Sequence, residues 1–285
     1  MDTQPASVQR QDGASATHVK PFLKWTGGKQ WLSFLIRDSL APYRSRHYIE
    51  PFLGGGSIFF ALGPESATLS DSNADLIATY QAVRNNVDDV IEGLSQLRSN
   101  VTTFRRMRAQ EPWRPVDRAV RFIYLNKTAF NGMYRVNQRG EFNVPFGSYP
   151  EVNVCQPERL RAASAALAGT SLRTAKYQTT LRDASRGDLV YLDPPYVTTH
   201  NNNGFVKWNA QLFSWKDQER LAKLAESLRK DGIVVIVSNA AHQSVIDLYP
   251  KFYVMKLKRH SLIGGGRELR RPVSEVLLCS FPLSI

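Results

Sequence analysis

The tetrapeptide Asp193-Pro194-Pro195-Tyr196 is the densest concentration of chemistry in the 285-residue sequence. It follows Val190-Tyr191-Leu192, an apolar run that reads as a strand, and consecutive prolines cannot continue a sheet ladder. The aspartate therefore falls at the carboxyl edge of a sheet, where ligands bind in open α/β folds. These residue types suit a nitrogen whose lone pair is delocalised into an aromatic ring, such as the exocyclic N6 of adenine. The Asp193 carboxylate and the Pro194 carbonyl can accept both N–H bonds and favour a pyramidal nitrogen with its lone pair exposed. The prolines stiffen the turn that aims the carbonyl. Tyr196 offers a face on which a base rotated out of a duplex stacks. The bland alternative is a structural Asp-Pro-Pro turn.

A second constellation precedes it. Glu50-Pro51 and the glycines Gly54, Gly55 and Gly56 sit where a short strand gives way to a helix, and glycine there admits positive φ and the close approach of a ligand. The run lacks the third glycine of the dinucleotide spacing. Asp71, at the end of the next strand, stands where such folds hold a ribose diol; its alternative is a helix cap. Without a phosphate-binding pattern, a nucleoside such as S-adenosylmethionine fits better than a dinucleotide. Thr26-Gly27-Gly28-Lys29 imitates a phosphate loop, but Leu23 stands where its first glycine belongs and Gln30 replaces the magnesium-binding hydroxyl, which disfavours an ATPase.

These groups need a framework. Residues 46–60 read as strand, glycine turn and helix, ATLSDSN as a strand ending in an acid, and ADLIATYQAV as a helix. Further on come the strand before Asp193, a helix around Gln218 to Lys230, a β-branched strand at Ile233 to Val237, and strands near Phe252 to Leu257 and Val276 to Cys279. The pattern predicts an α/β fold with an open sheet over residues 20–80 and 171–285. Residues 81–170 differ in texture: mainly helical, arginine-rich, with a hairpin turning at Gln138 to Gly140. They read as an insertion that recognises a substrate, and residues 1–19 as a disordered lead. The polar stretch from Val197 to Phe213 reads either as a lid over a flipped base or as a surface loop.

The charge agrees with a nucleic-acid partner. There are 37 Lys and Arg against 25 Asp and Glu, a net charge of +12. Arg267, Arg270 and Arg271 fall in a basic run near the C-terminus and are expected to touch phosphates. Cys155 and Cys279 lie far apart with no neighbouring ligands, which argues against a disulfide framework, a zinc site or a cysteine nucleophile. No apolar run is long enough to span a membrane. The expected protein is a cytoplasmic monomer that needs no metal.

Beyond single motifs, the chain resembles the DNA adenine methylase (Dam) family. The matching stretches are Phe22–Lys29, Ile49–Ser57, Leu69–Ile77, Phe122–Arg135, Gly140–Tyr149, Val190–Tyr196 and Val237–Asn239, in the family's order. The resemblance implies a Rossmann-like methyltransferase sheet with an inserted target-recognition domain, and transfer of a methyl group from S-adenosylmethionine to adenine N6 in duplex DNA, with GATC as the family's target. It makes Trp25, Lys29, Asp71, Asp183 and Asp193 cofactor contacts, beside Glu50, Pro51, Gly54 and Gly56 of the glycine turn. It places Lys24, Met133, Arg135 and Pro145 on target-reading positions. Asn131, Asn137 and Ser148 of the same region join them as expected DNA contacts. Ser148 and Tyr134 depart from a familiar member, so the chemistry is implied more firmly than the recognition sequence. Cytosine-N4 methylation, RNA adenine methylation and a metal-dependent nuclease built on Asp71, Asp188 and Asp193 remain as rivals.

Overall fold

The computed structural model describes residues 19–137, 139–147, 152–196, 213–260 and 272–283. The lead through His18, Ser148, the stretch 197–212 and the arginines 267, 270 and 271 lie outside them.

Short apolar strands stack side by side at the centre. They are β1 (His47–Glu50), β2 (Ser66–Asp71), β3 (Ser171–Thr174), β4 (Leu189–Leu192), β5 (Val234–Ala240), β6 (Tyr253–His260) and β7 (Pro272–Cys279). All four residues of β4 are buried, as expected of a strand covered on both faces. The sheet has seven strands in the order β3-β2-β1-β4-β5-β7-β6. Strands β3, β2, β1, β4 and β5 pair in parallel, whereas β7 runs antiparallel to both β5 and β6. This is a Rossmann-like methyltransferase sheet: the doubly wound order with one antiparallel strand slipped between the last two.

The order reverses between β1 and β4. From β1 the chain steps to β2 and β3 on one side, and it later returns through β4 and β5 on the other. Such a switch point opens a crevice beyond the carboxyl ends of the two strands. Glu50 ends β1 and Asp193 follows β4, so topology alone places both carboxyl groups at that crevice.

The helices begin where local chemistry starts them. Helix α1 is Gln30–Leu40, α2 is Ser57–Leu62 and α3 is Ala74–Asn85. The Asn73 side chain accepts from Leu76 N and caps α3. Between β2 and β3 run α4 (Val87–Ser95), α5 (Val101–Ala109), α6 (Pro115–Thr128) and α7 (Pro157–Leu167). The last two start on a proline, whose missing N–H costs nothing there. After α8 (Tyr177–Leu181) comes α9 (Trp215–Lys230), opened by a reciprocal Ser214–Asp217 capping box, then the single turn α10 (Gln243–Ile246).

One apolar cluster joins a face of the sheet to the helical stretch, with Phe22, Tyr80, Phe122 and Leu160 among its members. A second fills the other face beneath α9, with Val190, Leu192, Leu221 and Tyr249. Because α3 runs unbroken to Asn85, the expected boundary at Gln81 falls inside a helix that belongs to both parts. The expected hairpin is short: Val136 bridges Phe142 and Ala129 bridges Phe146, with the turn closed by Gly140 N on Asn137 O. The later strands extend past their predicted limits, β5 to Ala240 and β7 back to Pro272.

Candidate active site

The glycine turn is shaped first by a neighbouring tryptophan. Gly54 and Gly56 have φ of 47° and 65°, left-handed values that favour glycine. A Cβ added at Gly54 would lie 2.7 Å from Trp25 Nε1, and one at Gly55 would lie 2.9 Å from Trp25 Cβ. The close approach inferred from sequence is thus made by Trp25, an expected cofactor contact that forms one wall of the turn. Asp71 fastens the opposite side. Its Oδ2 accepts from Gly54 N at 3.1 Å and its Oδ1 from Asn73 N at 2.9 Å. Asp71 therefore clamps the turn, while Asn73 caps the helix. The Tyr80 hydroxyl closes the cradle by donating to Gly54 O at 3.0 Å.

The carboxyl groups at the crevice perturb one another. Burial, then the nearby Asp193 and Asp71, pushes Glu50 well above the usual carboxylate range, although the Tyr48 hydroxyl donates to its Oε2 at 2.9 Å. Burial also raises Asp71 against three backbone N–H bonds. Pro51, next to Glu50, is buried at the end of β1.

Asp193 stands at the mouth of β4 with an organised set of partners. The Ser238 hydroxyl donates to its Oδ1 at 2.6 Å, and Lys29 Nζ lies 3.0 Å from the same oxygen. Tyr191 supports Ser238 by donating to its hydroxyl at 3.0 Å. Lys29 is only 3% exposed; its ammonium also donates to Gly27 O at 2.7 Å and rests 4.6 Å from the centre of the Tyr196 ring. Burial raises Asp193, and Lys29 and Ser238 oppose that shift. The side chain keeps 19% of its surface exposed. Pro194 is buried, and Pro195 O accepts a long bond from Gln218 at 3.4 Å, tying the turn to α9.

Asp183 stands apart from this group. It is exposed after α8 and paired with Arg173 of β3.

Of the residues expected to contact DNA, Lys24, Asn131 and Met133 come together next to Trp25 and Gly55, and Arg135, Asn137 and Pro145 lie on the hairpin. Lys24, Trp25, Asn131 and Met133 line one cavity of about 420 Å³, together with Lys127 and Arg159. Asn126, fully buried, builds it: its amide donates to Lys24 O at 2.6 Å and Gly132 O at 3.0 Å, and its oxygen accepts from Lys24 N. Lys127 is 4% exposed, and burial lowers its ammonium to about 8. On the hairpin, Arg135 is exposed and donates to Asn143 at 2.9 Å, while Pro145 is exposed beside it. Asn137 spends its amide on the turn, accepting from Arg139 N and Glu141 N and donating to Glu141. Tyr134 stacks on Phe122 with centroids 4.0 Å apart and braces the hairpin from behind. A second cavity of about 600 Å³, lined by Arg105, Arg108, Arg118, Arg121 and Arg139, lies between the helices and the hairpin, not at the tetrapeptide.

Ser238, Glu275 and Asn126 are the residues that sequence reasoning missed as individuals, and Lys127 counted there only as one of a basic run. Ser238 and Asn126 each sit inside a motif that was noted only as a block. Glu275 carried a usable signal: a lone acid in an otherwise apolar strand, 2% exposed.

Among the described residues, no group of three His, Cys, Asp or Glu side chains could hold a metal ion, and no helix is long and apolar enough to cross a membrane. The sequence profile described as D12 class N6 adenine-specific DNA methyltransferase matches residues 25–262. A type II methyltransferase of Lactococcus lactis subsp. cremoris, M1.LlaDCHI, is 31% identical, covering 93% of this chain and 96% of its own. Methanocaldococcus jannaschii has a type II methyltransferase, M.MjaIII, at 34% identity over 92% of this chain and 99% of its own. The DNA adenine methylase of Escherichia coli K12 is 33% identical over 90% of this chain and 94% of its own. With the switch-point crevice, the Asp193 tetrapeptide and these relatives in agreement, the chain belongs to the D12 class of N6 adenine-specific DNA methyltransferases.

Proposed function

We propose that this adenine-specific DNA methyltransferase uses S-adenosylmethionine and acts on an adenine turned out of a duplex within a short sequence, GATC. The observation that carries the reading is the setting of Asp193: a carboxyl group at the switch-point crevice, fixed through Oδ1 by Ser238 and Lys29. With Oδ1 so held, Oδ2 is the oxygen assigned to the target amine, with Pro194 O as the second acceptor. Asp193 then orients and polarises N6 rather than acting as a strong base.

The crevice suits the proposed donor. Glu50, Asp71 and Asp193 bring three carboxyl groups to adjacent strand ends, each raised by burial, and a cationic ligand beside them would favour their ionised forms. Trp25, the turn at Gly54 to Gly56, and Asp71 would hold the nucleoside. S-adenosylmethionine, when bound, supplies an electrophilic methyl group and a sulfonium charge. The side chains here bind, orient and exclude water; Tyr196 provides the stacking face that offsets the few kcal/mol lost when a base leaves the stack.

The family assignment does not favour cytosine-N4 methylation, RNA adenine methylation or a nuclease. We assign residues 81–170 as the target-recognition part. Arg135, exposed on the hairpin, is the residue proposed to contact guanine bidentately, and Pro145 to pack on a thymine methyl. Arg267, Arg270 and Arg271 are proposed phosphate contacts. Methylation of duplexes carrying every single change of GATC tests this. Arg135→Ala should cost about 1–3 kcal/mol on the cognate duplex and flatten discrimination at one base pair. Equal losses on cognate and scrambled duplexes would refute the assignment.

A further inference from the structure

The tetrapeptide is braced from an unexpected strand. Glu275 lies on β7, where it pairs with Ala240 of β5, and is 2% exposed. Its Oε2 accepts from the Tyr196 hydroxyl at 3.0 Å and lies 3.8 Å from Lys29 Nζ. The same ammonium is 3.0 Å from Asp193 Oδ1 and 4.6 Å from the Tyr196 ring centre. A carboxylate buried this fully is costly unless charge and hydrogen bonds compensate it. Two groups that compensate it, the Tyr196 hydroxyl and the Lys29 ammonium, belong to the proposed reaction site.

We propose that Glu275 is a positioning residue for methyl transfer: it fixes the Tyr196 ring through its hydroxyl and seats Lys29 against Asp193, so that the stacking face and the amine acceptor keep one geometry. The inference rests on reading Asp193 to Tyr196 as the catalytic tetrapeptide. It also gives the phenol a use that stacking does not, since a phenylalanine would stack equally well. The antiparallel strand thereby enters the chemistry: β7 carries the brace to the end of β4, and Ser238 on β5 carries the other hold on Asp193.

The test is a kinetic cycle on the full-length enzyme with a GATC duplex and labelled S-adenosylmethionine. The variants are Glu275→Ala, Glu275→Gln, Tyr196→Phe, the Glu275→Ala/Tyr196→Phe pair, and Asp193→Ala. Glu275→Ala should lower kcat roughly 10- to 100-fold while KM for DNA stays within about threefold, the mark of lost alignment rather than lost binding. Tyr196→Phe should lower kcat about tenfold, and the pair should be no slower than Glu275→Ala, because both remove one interaction. Glu275→Gln should recover only part of the loss in Glu275→Ala, since its amide oxygen accepts the same bond but carries no charge to seat Lys29. A parental kcat in Glu275→Ala, or losses that multiply in the pair, overturns the inference. Should Glu275→Ala not fold, Tyr196→Phe decides alone, and a parental kcat there is fatal to the proposal. Methylation by Asp193→Ala would instead defeat the reading of the tetrapeptide itself.

Discussion

Ser238 shows how one hydroxyl can set the working range of an enzyme. In the proposed mechanism Asp193 accepts from the target amine as the ionised form, so activity should fall as pH drops through its pKa. Burial raises that pKa; Lys29 and the Ser238 bond lower it, and Glu275 raises it slightly. Glu50, Tyr48, Tyr191 and Tyr196 also face the carboxylate across the packed strand ends. Removing the Ser238 hydroxyl deletes a lowering contribution, so the acid limb of kcat/KM should move to higher pH in Ser238→Ala. At pH well above that limb the loss should be about tenfold, the worth of one charge-assisted hydrogen bond. An acid limb that stays in place would show that Ser238 does not act through Asp193. At this scale the sequence was explicit about Asp193, Lys29 and Asp71, whose types announce chemistry. It was silent about Ser238 and Glu275, whose importance comes from partners 45 and 79 residues away.

At the scale of elements, the glycine turn decides whether the crevice exists. Sequence reasoning required glycine at Gly54 for a positive φ and for the close approach of a ligand; the φ is 47°, and the close approach in the structure is that of Trp25. Gly54→Ala must therefore force Trp25 away and strain the backbone, a cost of about 1–3 kcal/mol. The melting temperature should fall, and affinity for S-adenosylmethionine, measured calorimetrically, should fall with it. Full affinity in a stable Gly54→Ala protein would contradict the account of the turn. Strands β1, β2 and β4 were legible because each leads into a chemical signal, Glu50, Asp71 and Asp193, whereas β3, Ser171–Thr174, carries none and was not predicted. The position of β7 was not, because an antiparallel insertion between β5 and β6 depends on pairing across the sheet rather than on any local pattern. The hairpin was legible by its turn residues, but its ladder is only two bridges long. Strand propensity could not reveal that.

On the scale of the whole molecule, the net charge of +12 and the arginine-rich helical stretch set a polyanion as partner before any contact is known. The fold then sets two tasks, recognition and chemistry, around Trp25. The cavity with Lys24, Asn131 and Met133 is also lined by Gly28, Gly55 and Ser57, so in the proposed reading the two tasks meet at Trp25. Asn126 holds Lys24 and Gly132 together, so the proposed recognition residues are joined to the segment that carries Trp25 by one buried seam. What composition could not disclose was this seam, since it joins residues about a hundred positions apart through a buried amide. The central claim is methyl transfer at Asp193, and one measurement tests it most directly. Unmethylated duplex DNA is incubated with labelled S-adenosylmethionine without added metal, and the nucleosides are identified by mass for the parent and for Asp193→Ala. The account predicts N6-methyladenine with the parent, in duplexes containing GATC, and none with the variant. Label on cytosine, or N6-methyladenine made equally by Asp193→Ala, would contradict it.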